Sequence, residues 1–318
     1  METKNSWKAW IYLAPALILL AIFTFYPMIY TILLSFFDGY KSTTALAGAS
    51  FKIGIENYIY VVTQNQYFWQ GFWNTFILAA ITVPISTLLA LLIAVALNSI
   101  KVLQKFIQTI FFLPYVTNAI AIGMVFAMIF NVLQTGSNIT DIGLFNRMLN
   151  FLGYKGDTII WLNVGNRPFW QDFEAFRMWG IKIFVLSVYI VWNALPFKIM
   201  LLLGALQSVN KQYYEAAKVD GTPKKRVFAK ITVPLISPIL AYVIITGFIG
   251  AFKEYSSAVG IFGENLNLYG MNTMVGFIYD SIKGKWVGRA AAGAVLLFIM
   301  ILILTGIQFL VSKKKVHY

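Results

Sequence analysis

The 318-residue sequence predicts an all-α polytopic membrane protein with six transmembrane helices and both termini in the cytoplasm. Three observations carry this. The chain is 59% hydrophobic and only 12% charged, against an apolar share of roughly 45–50% in soluble domains. Six apolar runs are long enough to cross a hydrocarbon core of about 30 Å, which takes about 20 helical residues. The basic residues concentrate in short segments between alternate runs, the pattern that orients a bundle. Helix is the default inside each run because lipid offers backbone groups no hydrogen bonds, and strands of a spanning barrel read as short alternating segments instead.

The first run, Trp10 to Phe37, follows Lys4 and Lys8 as a secretory leader would. It exceeds a leader's apolar core of roughly 7–15 residues and lacks a small-residue cleavage site, so it reads as a retained helix. The other runs lie near Phe72–Leu97, Phe106–Leu133, Ile181–Leu206, Val233–Phe262 and Val287–Val311. One transmembrane domain over 1–318 follows, with the first helix at about 10–37 and a core at about 71–311. Pro27, Pro84, Pro114, Pro196 and Pro238 punctuate these runs, where each removes a helical hydrogen bond and can kink the axis.

Cytoplasmic termini place Lys4, Lys8, Lys101, Lys105, Lys211, Lys218, Lys224, Lys225, Arg226, Lys230 and Lys313 to Lys315 inside, accompanied only by Glu2, Glu215 and Asp220. Three outer segments remain, near Asp38–Gly71, Gln134–Gly180 and Gly263–Trp286. The large one, at about 134–180, holds "GLFNRMLNFLGYKG" and "WQDFEAFRMWG", read as short surface helices that either pack on the bundle or dock a partner. The net charge of +13 follows topology rather than gathering on one soluble face, so nucleic acid is not the expected partner. With no cysteine and one histidine, His317 in the tail, no metal site and no catalytic cluster is expected.

The densest polar stretch, "QYYEAAKVDGTPKKRVFAKITVPLISP", runs from Gln212 to Pro238, mostly within an expected cytoplasmic loop at about 207–233. Glu215, Ala216 and Ala217 favour helix, Gly221 suits a left-handed stop, Thr222 can cap a second helix and Pro223 fits its first position. A solvated basic loop is the alternative, but it needs no alanine pair, no Gly-Thr-Pro turn and no amphipathic "RVFAKITVPL" leading into the next span.

These residues resemble the EAA loop of permease subunits of binding-protein-dependent ATP-binding-cassette importers: Glu215-Ala216-Ala217, Gly221, then "ITVP" from Ile231 to Pro234. The flanking "LLLGALQSVNKQYY" and "PLISP" are similar to the carbohydrate branch, with its maltose-type and glycerol-phosphate-type permeases. The resemblance runs from about Gly71 to the C-terminus and implies a type I importer permease fold in the cell membrane. It implies a homologous second permease, a cytoplasmic ATPase dimer that binds the ATP and Mg, and an extracytoplasmic substrate-binding protein. The elbow bearing Glu215, Ala216, Ala217, Asp220 and Gly221 would contact the ATPase. No Gly-x-x-x-x-Gly-Lys-Ser/Thr pattern occurs, so the chain is expected to be a pore subunit without cofactor rather than an enzyme.

Polar groups within spans are costly unless satisfied, which singles out Asn193, Lys198, Lys253 and Glu254. Lys198 snorkelling, Asn193 bonding a neighbouring helix, and Lys253 with Glu254 marking the outer boundary are the plain alternatives. Asn193 lies 13 residues before Leu206 and Gly247 lies 13 after Pro234. At about 1.5 Å per residue both stand roughly 20 Å above the cytoplasmic helix ends. Gly247, Gly250, Ala251 and Glu254 form one stripe of the fifth helix, and Tyr189, Asn193 and Phe197 one face of the fourth. Such a face suits a sugar, while the small-residue stripe equally suits helix packing. By resemblance, maltose-type members bind ligand through the stretches matching "WNALPF" and "GFIGAFKEY", which adds Ala194 to Asn193, Phe197, Gly247, Gly250, Ala251 and Glu254. Ala251 and Glu254 stand where such members carry asparagines, and "IFGENLNLYG" replaces a Thr-Gly-Gly-Pro-like turn. A sugar, oligosaccharide or polyol importer is the main expectation. A secondary transporter, or an importer of another ligand class, is the alternative.

Overall fold

The computed structural model describes residues 6–41, 52–100, 104–135 and 138–315; Glu2, Lys4, Lys101 and His317 of the charge argument lie outside them. The first run forms α1 (Ser6–Leu20), a π-helical turn (Ala21–Phe25) and α2 (Tyr26–Ser35). The wide turn directly precedes Pro27, whose ring would otherwise meet the carbonyl four residues back. After strands β1 (Phe37–Asp38) and β2 (Lys52–Ile53) come α3 (Glu56–Ile59) and α4 (Gln66–Ser99). Next are α5 (Gln104–Val116), α6 (Ala119–Phe130), strands β3 (Leu133–Thr135) and β4 (Asn138–Asp141), α7 (Leu144–Phe151) and α8 (Phe173–Ser208). The chain then forms α9 (Lys211–Val219), α10 (Lys224–Val227), a further π turn (Phe228–Thr232), α11 (Val233–Leu235) and α12 (Ser237–Phe252). It closes with α13 (Ser256–Phe262), α14 (Met274–Lys283) and α15 (Val287–Lys315).

Among the described residues four stretches are long and apolar enough to cross a membrane unbroken: Trp10–Ser35, Gln66–Ser99, Phe173–Ser208 and Val287–Lys313. The expected single helix over Phe106–Leu133 is instead α5 and α6, bent by 103°. Thr117 accepts no helical continuation, and Asn118 restarts the helix by accepting from the amides of Ile120 (2.9 Å) and Ala121 (3.2 Å). The run Val233–Phe262 is likewise broken. The segment Lys224–Leu235 meets α12 at 70° across Ile236, next to Pro238, and α12 stops at Phe252 before α13. Pro84 and Pro196, by contrast, sit inside uninterrupted helices of 34 and 36 residues. "GLFNRMLNFLGYKG" does contain a short helix, α7, but "WQDFEAFRMWG" mostly opens α8, where the Asp172 carboxylate caps the Ala175 amide at 2.7 Å.

The contacts divide the chain into two units. The first comprises Met1–Trp69 with Phe277–Ile299. Its β1–β2 hairpin pairs Phe37 with Ile53 and Asp38 with Lys52. Buried Asn57 ties α3 to the end of α2 and to β1, donating to the Ser35 carbonyl at 3.2 Å and the Phe37 carbonyl at 3.0 Å. Gly288 passes so close that a Cβ there would meet the Asn57 amide nitrogen at 2.7 Å.

The second unit, Gln70–Gly276 with Met300–Tyr318, holds two apolar clusters. One gathers Leu78, Phe130, Trp161, Trp179, Leu186, Tyr189 and Met271; the other gathers Ala90, Leu202, Leu206, Ile236 and Val243. Gly123 of α6 and Gly260 of α13 let two backbones meet, since a Cβ on Gly123 would stand 2.7 Å from the Gly260 Cα. Near the β3–β4 hairpin, Asp141 accepts from the Gly143 amide and pairs with Arg147 at 3.0 Å. The Gly143 hydrogen bond, then Arg147, hold its carboxyl below the usual carboxylate value, so this contribution is lost only as pH falls through that lowered pKa.

Asn74 is the main polar tie of this unit. Its amide donates to the carbonyls of Gly270 (2.9 Å) and Asn272 (2.8 Å), and its oxygen accepts from the Trp179 indole at 2.7 Å. Asn74→Leu leaves three buried groups without partners, at about 1–3 kcal/mol each. We expect Asn74→Leu to lower the thermal midpoint of the detergent-purified protein by at least several degrees. An unchanged midpoint in a fluorescence melting curve would contradict the role given to this side chain.

Candidate functional site: a polar cavity and a helical elbow

A cavity of about 430 Å³ opens within the second unit between α4, the α5–α6 bend, α8 and α12, within the roughly 300–1,000 Å³ of small-molecule pockets. All seven residues expected to meet a ligand, Asn193, Ala194, Phe197, Gly247, Gly250, Ala251 and Glu254, line it. Asn193 makes no side-chain hydrogen bond among the described residues, so its amide is available to a solute. Phe197 stacks on Tyr115 of α5 with ring centroids 5.9 Å apart and planes 14° apart. That pair supplies a flat apolar wall.

Three expectations need correction. Glu254 does not continue the stripe of the fifth helix, because α12 ends two residues earlier. Its carboxylate accepts from the amides of Tyr255 (3.1 Å) and Ser257 (2.9 Å), starting α13 while still facing the cavity. Lys198 does not snorkel. It is 5% exposed and donates to Ser86 Oγ at 2.7 Å, Thr87 Oγ1 at 2.9 Å and the Val83 carbonyl at 3.4 Å. Gly247 makes room for it, since a Cβ there would lie 3.2 Å from Lys198 Nζ. Tyr189 is fully buried and does not line the cavity; it donates to the carbonyl of Ala119, which does, joining α8 to the start of α6.

Sequence reasoning missed Thr82, Ser86, Tyr115, Thr117 and Thr246, which also line the cavity. Thr82 and Ser86 lie one turn apart within an apolar run, and their hydroxyls return hydrogen bonds to their own helix, to Leu78 at 2.7 Å and Thr82 at 2.5 Å. The available signal was that i, i+4 pair of hydroxyls beside Pro84.

The elbow forms as the residues dictate. Asn210 caps α9 by accepting from the Gln212 amide at 3.0 Å. At its far end the Gly221 amide donates to Lys218 O at 3.1 Å and the Thr222 amide to Ala217 O at 2.9 Å. This paired closure places Gly221 at φ +64°. The second helix starts one residue later than expected: Pro223 is the cap, its carbonyl receiving the Arg226 and Val227 amides, and Thr222 supplies no side-chain cap. Ala217 is buried, whereas Glu215, Ala216, Asp220 and Gly221 are exposed. Val219 at 88% exposure and Tyr213 at 54% add apolar surface that the sequence reading did not single out.

Residues 86–317 match the family described as binding-protein-dependent transport system inner membrane component. The chain belongs to that family. It is thus a multi-pass membrane permease subunit, and binding-protein-dependent transport displaces the secondary-transporter alternative. The permease is 28% identical to the lactose transport system permease protein LacF of Rhizobium radiobacter, over 97% of this chain and 95% of that one. It is 29% identical to the sulfoquinovosyl glycerol transport system permease protein SmoG of Agrobacterium fabrum, over 95% and 89%. A solved bacterial ABC transporter involved in importing the acidic polysaccharide alginate shares its fold, with a TM-score of 0.74 at 21% identity over 98% of this chain and 96% of the other.

The double placement of Glu254 separates two roles. Glu254→Gln keeps an acceptor for the Ser257 amide but removes the charge from the cavity, so folding should be retained while the KM for uptake shifts. Glu254→Ala also removes the cap, at about 1 kcal/mol. Uptake kinetics and melting curves of the two variants check this; identical wild-type kinetics in both would remove Glu254 from the site.

Proposed function

We propose that this permease is the pore-forming subunit of an ATP-driven importer for a sugar, oligosaccharide or polyol. The observation that carries the reading is one unbroken helix. From Asn193 and Lys198 at the cavity, α8 runs to Ser208, and only Val209 and Asn210 separate it from the elbow helix α9. A helix needs no internal rearrangement to transmit a displacement, so a push at the elbow reaches the cavity wall. Relatives named for lactose and sulfoquinovosyl glycerol transport support the carbohydrate class. Asn193, the threonines and the Tyr115–Phe197 wall suit hydroxyls and apolar sugar faces.

Each bent pair is counted as one span, giving six in a single domain over 1–318, with both termini cytoplasmic. Glu215, Ala216, Ala217, Asp220 and Gly221 form the contact with a cytoplasmic ATPase dimer that binds ATP and Mg; this chain hydrolyses nothing and holds no cofactor. A homologous permease completes the pore and an extracytoplasmic binding protein delivers ligand, in keeping with a similar solved transporter in complex with a pentasaccharide-bound periplasmic protein. Import of a non-carbohydrate ligand remains the second reading, favoured by Lys198 and Glu254, since a neutral sugar needs no charge in the cavity wall.

Gly221→Val tests the lever. At φ +64° a β-branched residue is strained by about 1–3 kcal/mol, which should open the turn and decouple the elbow. Uptake by the complete transporter in proteoliposomes should fall about tenfold or more with the protein still inserted. Wild-type uptake at equal protein level would sink the assignment.

A further inference from the structure

In the first unit, Gly39, Glu56, Asn57, Tyr60, Trp286 and Arg289 line a hollow of about 410 Å³. It sits just past the end of the first span at Ser35 and at the start of the last at Val287. The Arg289 guanidinium carbon lies 3.5 Å from the Tyr60 ring centroid and 3.8 Å from that of Trp286. Lys41 Nζ lies 3.7 Å from the same Trp286 centroid. Two rings thus hold the guanidinium, which lines the hollow and whose N–H donors can meet a ligand there. Among the described residues no carboxylate pairs with Arg289, and none of their groups accepts a hydrogen bond from it. The Glu56 carboxylate borders the same hollow and is equally unpaired among the described residues.

An unpaired cation and an unpaired anion on one hollow are complementary to a ligand that carries both charges. Arg289 also lies in the first turn of α15, where the helix dipole opposes a cation; a bound anion reverses that cost. Tyr40, Tyr58, Trp69 and Trp286 of the same unit belong to the residue types that sit at lipid headgroup depth. We propose that this hollow binds the headgroup of an aminophospholipid, with Arg289 gripping the phosphate through its planar fork and Glu56 accepting from the ammonium. A choline headgroup has no N–H to donate to Glu56, and a glycerol headgroup brings no cation. The proposal does not depend on which solute is transported.

Native mass spectrometry of the full-length protein, exposed separately to phosphatidylethanolamine, phosphatidylcholine and phosphatidylglycerol in mild detergent, tests this. Phosphatidylethanolamine adducts should exceed the other two. Arg289→Gln should cut them about tenfold, and Glu56→Gln should erase the preference over phosphatidylglycerol while leaving a phosphate-dependent adduct. Arg289→Lys keeps the charge without the fork and should restore only part of the binding, which covers poor folding of the glutamine variant. Soluble phosphoethanolamine at the lipid's concentration should not displace the adduct; displacement would make the ligand a free solute and overturn the lipid assignment. Equal adducts on wild type and Arg289→Gln would also overturn it.

Discussion

Lipid cannot hydrogen-bond a backbone, and that constraint organises the second unit. A helix crossing a bilayer stays intact unless something else satisfies the groups freed at an interruption. The interruptions here are self-supplied. Asn118 caps the restart after the α5–α6 bend, and Glu254 caps α13 after α12. Thr117, Ala119, Ala251 and Glu254, all at or beside these breaks, line the same cavity. Broken helices and polar cavity are one feature: the chain opens where it can cap itself, and the freed polar groups face a space that a hydrated solute can occupy.

Lys198 shows how the cavity tolerates charge. An unpaired ammonium in an apolar interior is costly, yet no carboxylate forms an ion pair with Lys198 among the described residues. Its three donors meet two hydroxyls and a carbonyl of α4. The hydroxyls of Ser86 and Thr87 thereby tie α4 to α8 beside the cavity, and the missing side chain of Gly247 leaves the lysine its volume. The amine is held in the cavity wall by hydrogen bonds rather than by an ion pair.

Much of this was legible in the sequence because its causes are local. The apolar runs marked the helices, and the Ala-Ala, Gly221 and Pro223 pattern marked the elbow to within one residue. Asn193 and Gly247 line one cavity, but not through equal spacing from their helix ends: α8 runs 15 residues on from Asn193 to Ser208, whereas the 70° bend at Ile236 leaves Gly247 only 10 residues from the start of α12. The misses were relations between segments. Composition inside an apolar run does not say whether Pro114 or Pro196 will break it; Pro196 stays helical within α8, while the chain after Pro114 turns where Asn118 can cap. Lys198 was open to a snorkelling reading because its three acceptors lie more than 110 positions away in the chain. Thr82 and Ser86 looked like incidental hydroxyls until α4 faced α8.

The continuity of α8 gives the proposed lever its physical basis. Between Asn193 and Ser208 the helix spans 15 residues, or about 22 Å, and the buried side chains of Ile199, Leu202, Leu203 and Leu206 wedge its lower half against α4. A displacement at α9 therefore cannot be absorbed by bending this segment without opening a packed cluster. On the other side of the elbow the path is softer, with a π turn at Phe228–Thr232 and a 70° bend before α12. One stiff arm and one jointed arm leave the elbow toward the two walls that carry Asn193 and Gly247. In the proposed lever, unequal stiffness would make a moving elbow shear those walls past one another rather than shift them together, and shear would change the shape of the cavity between them.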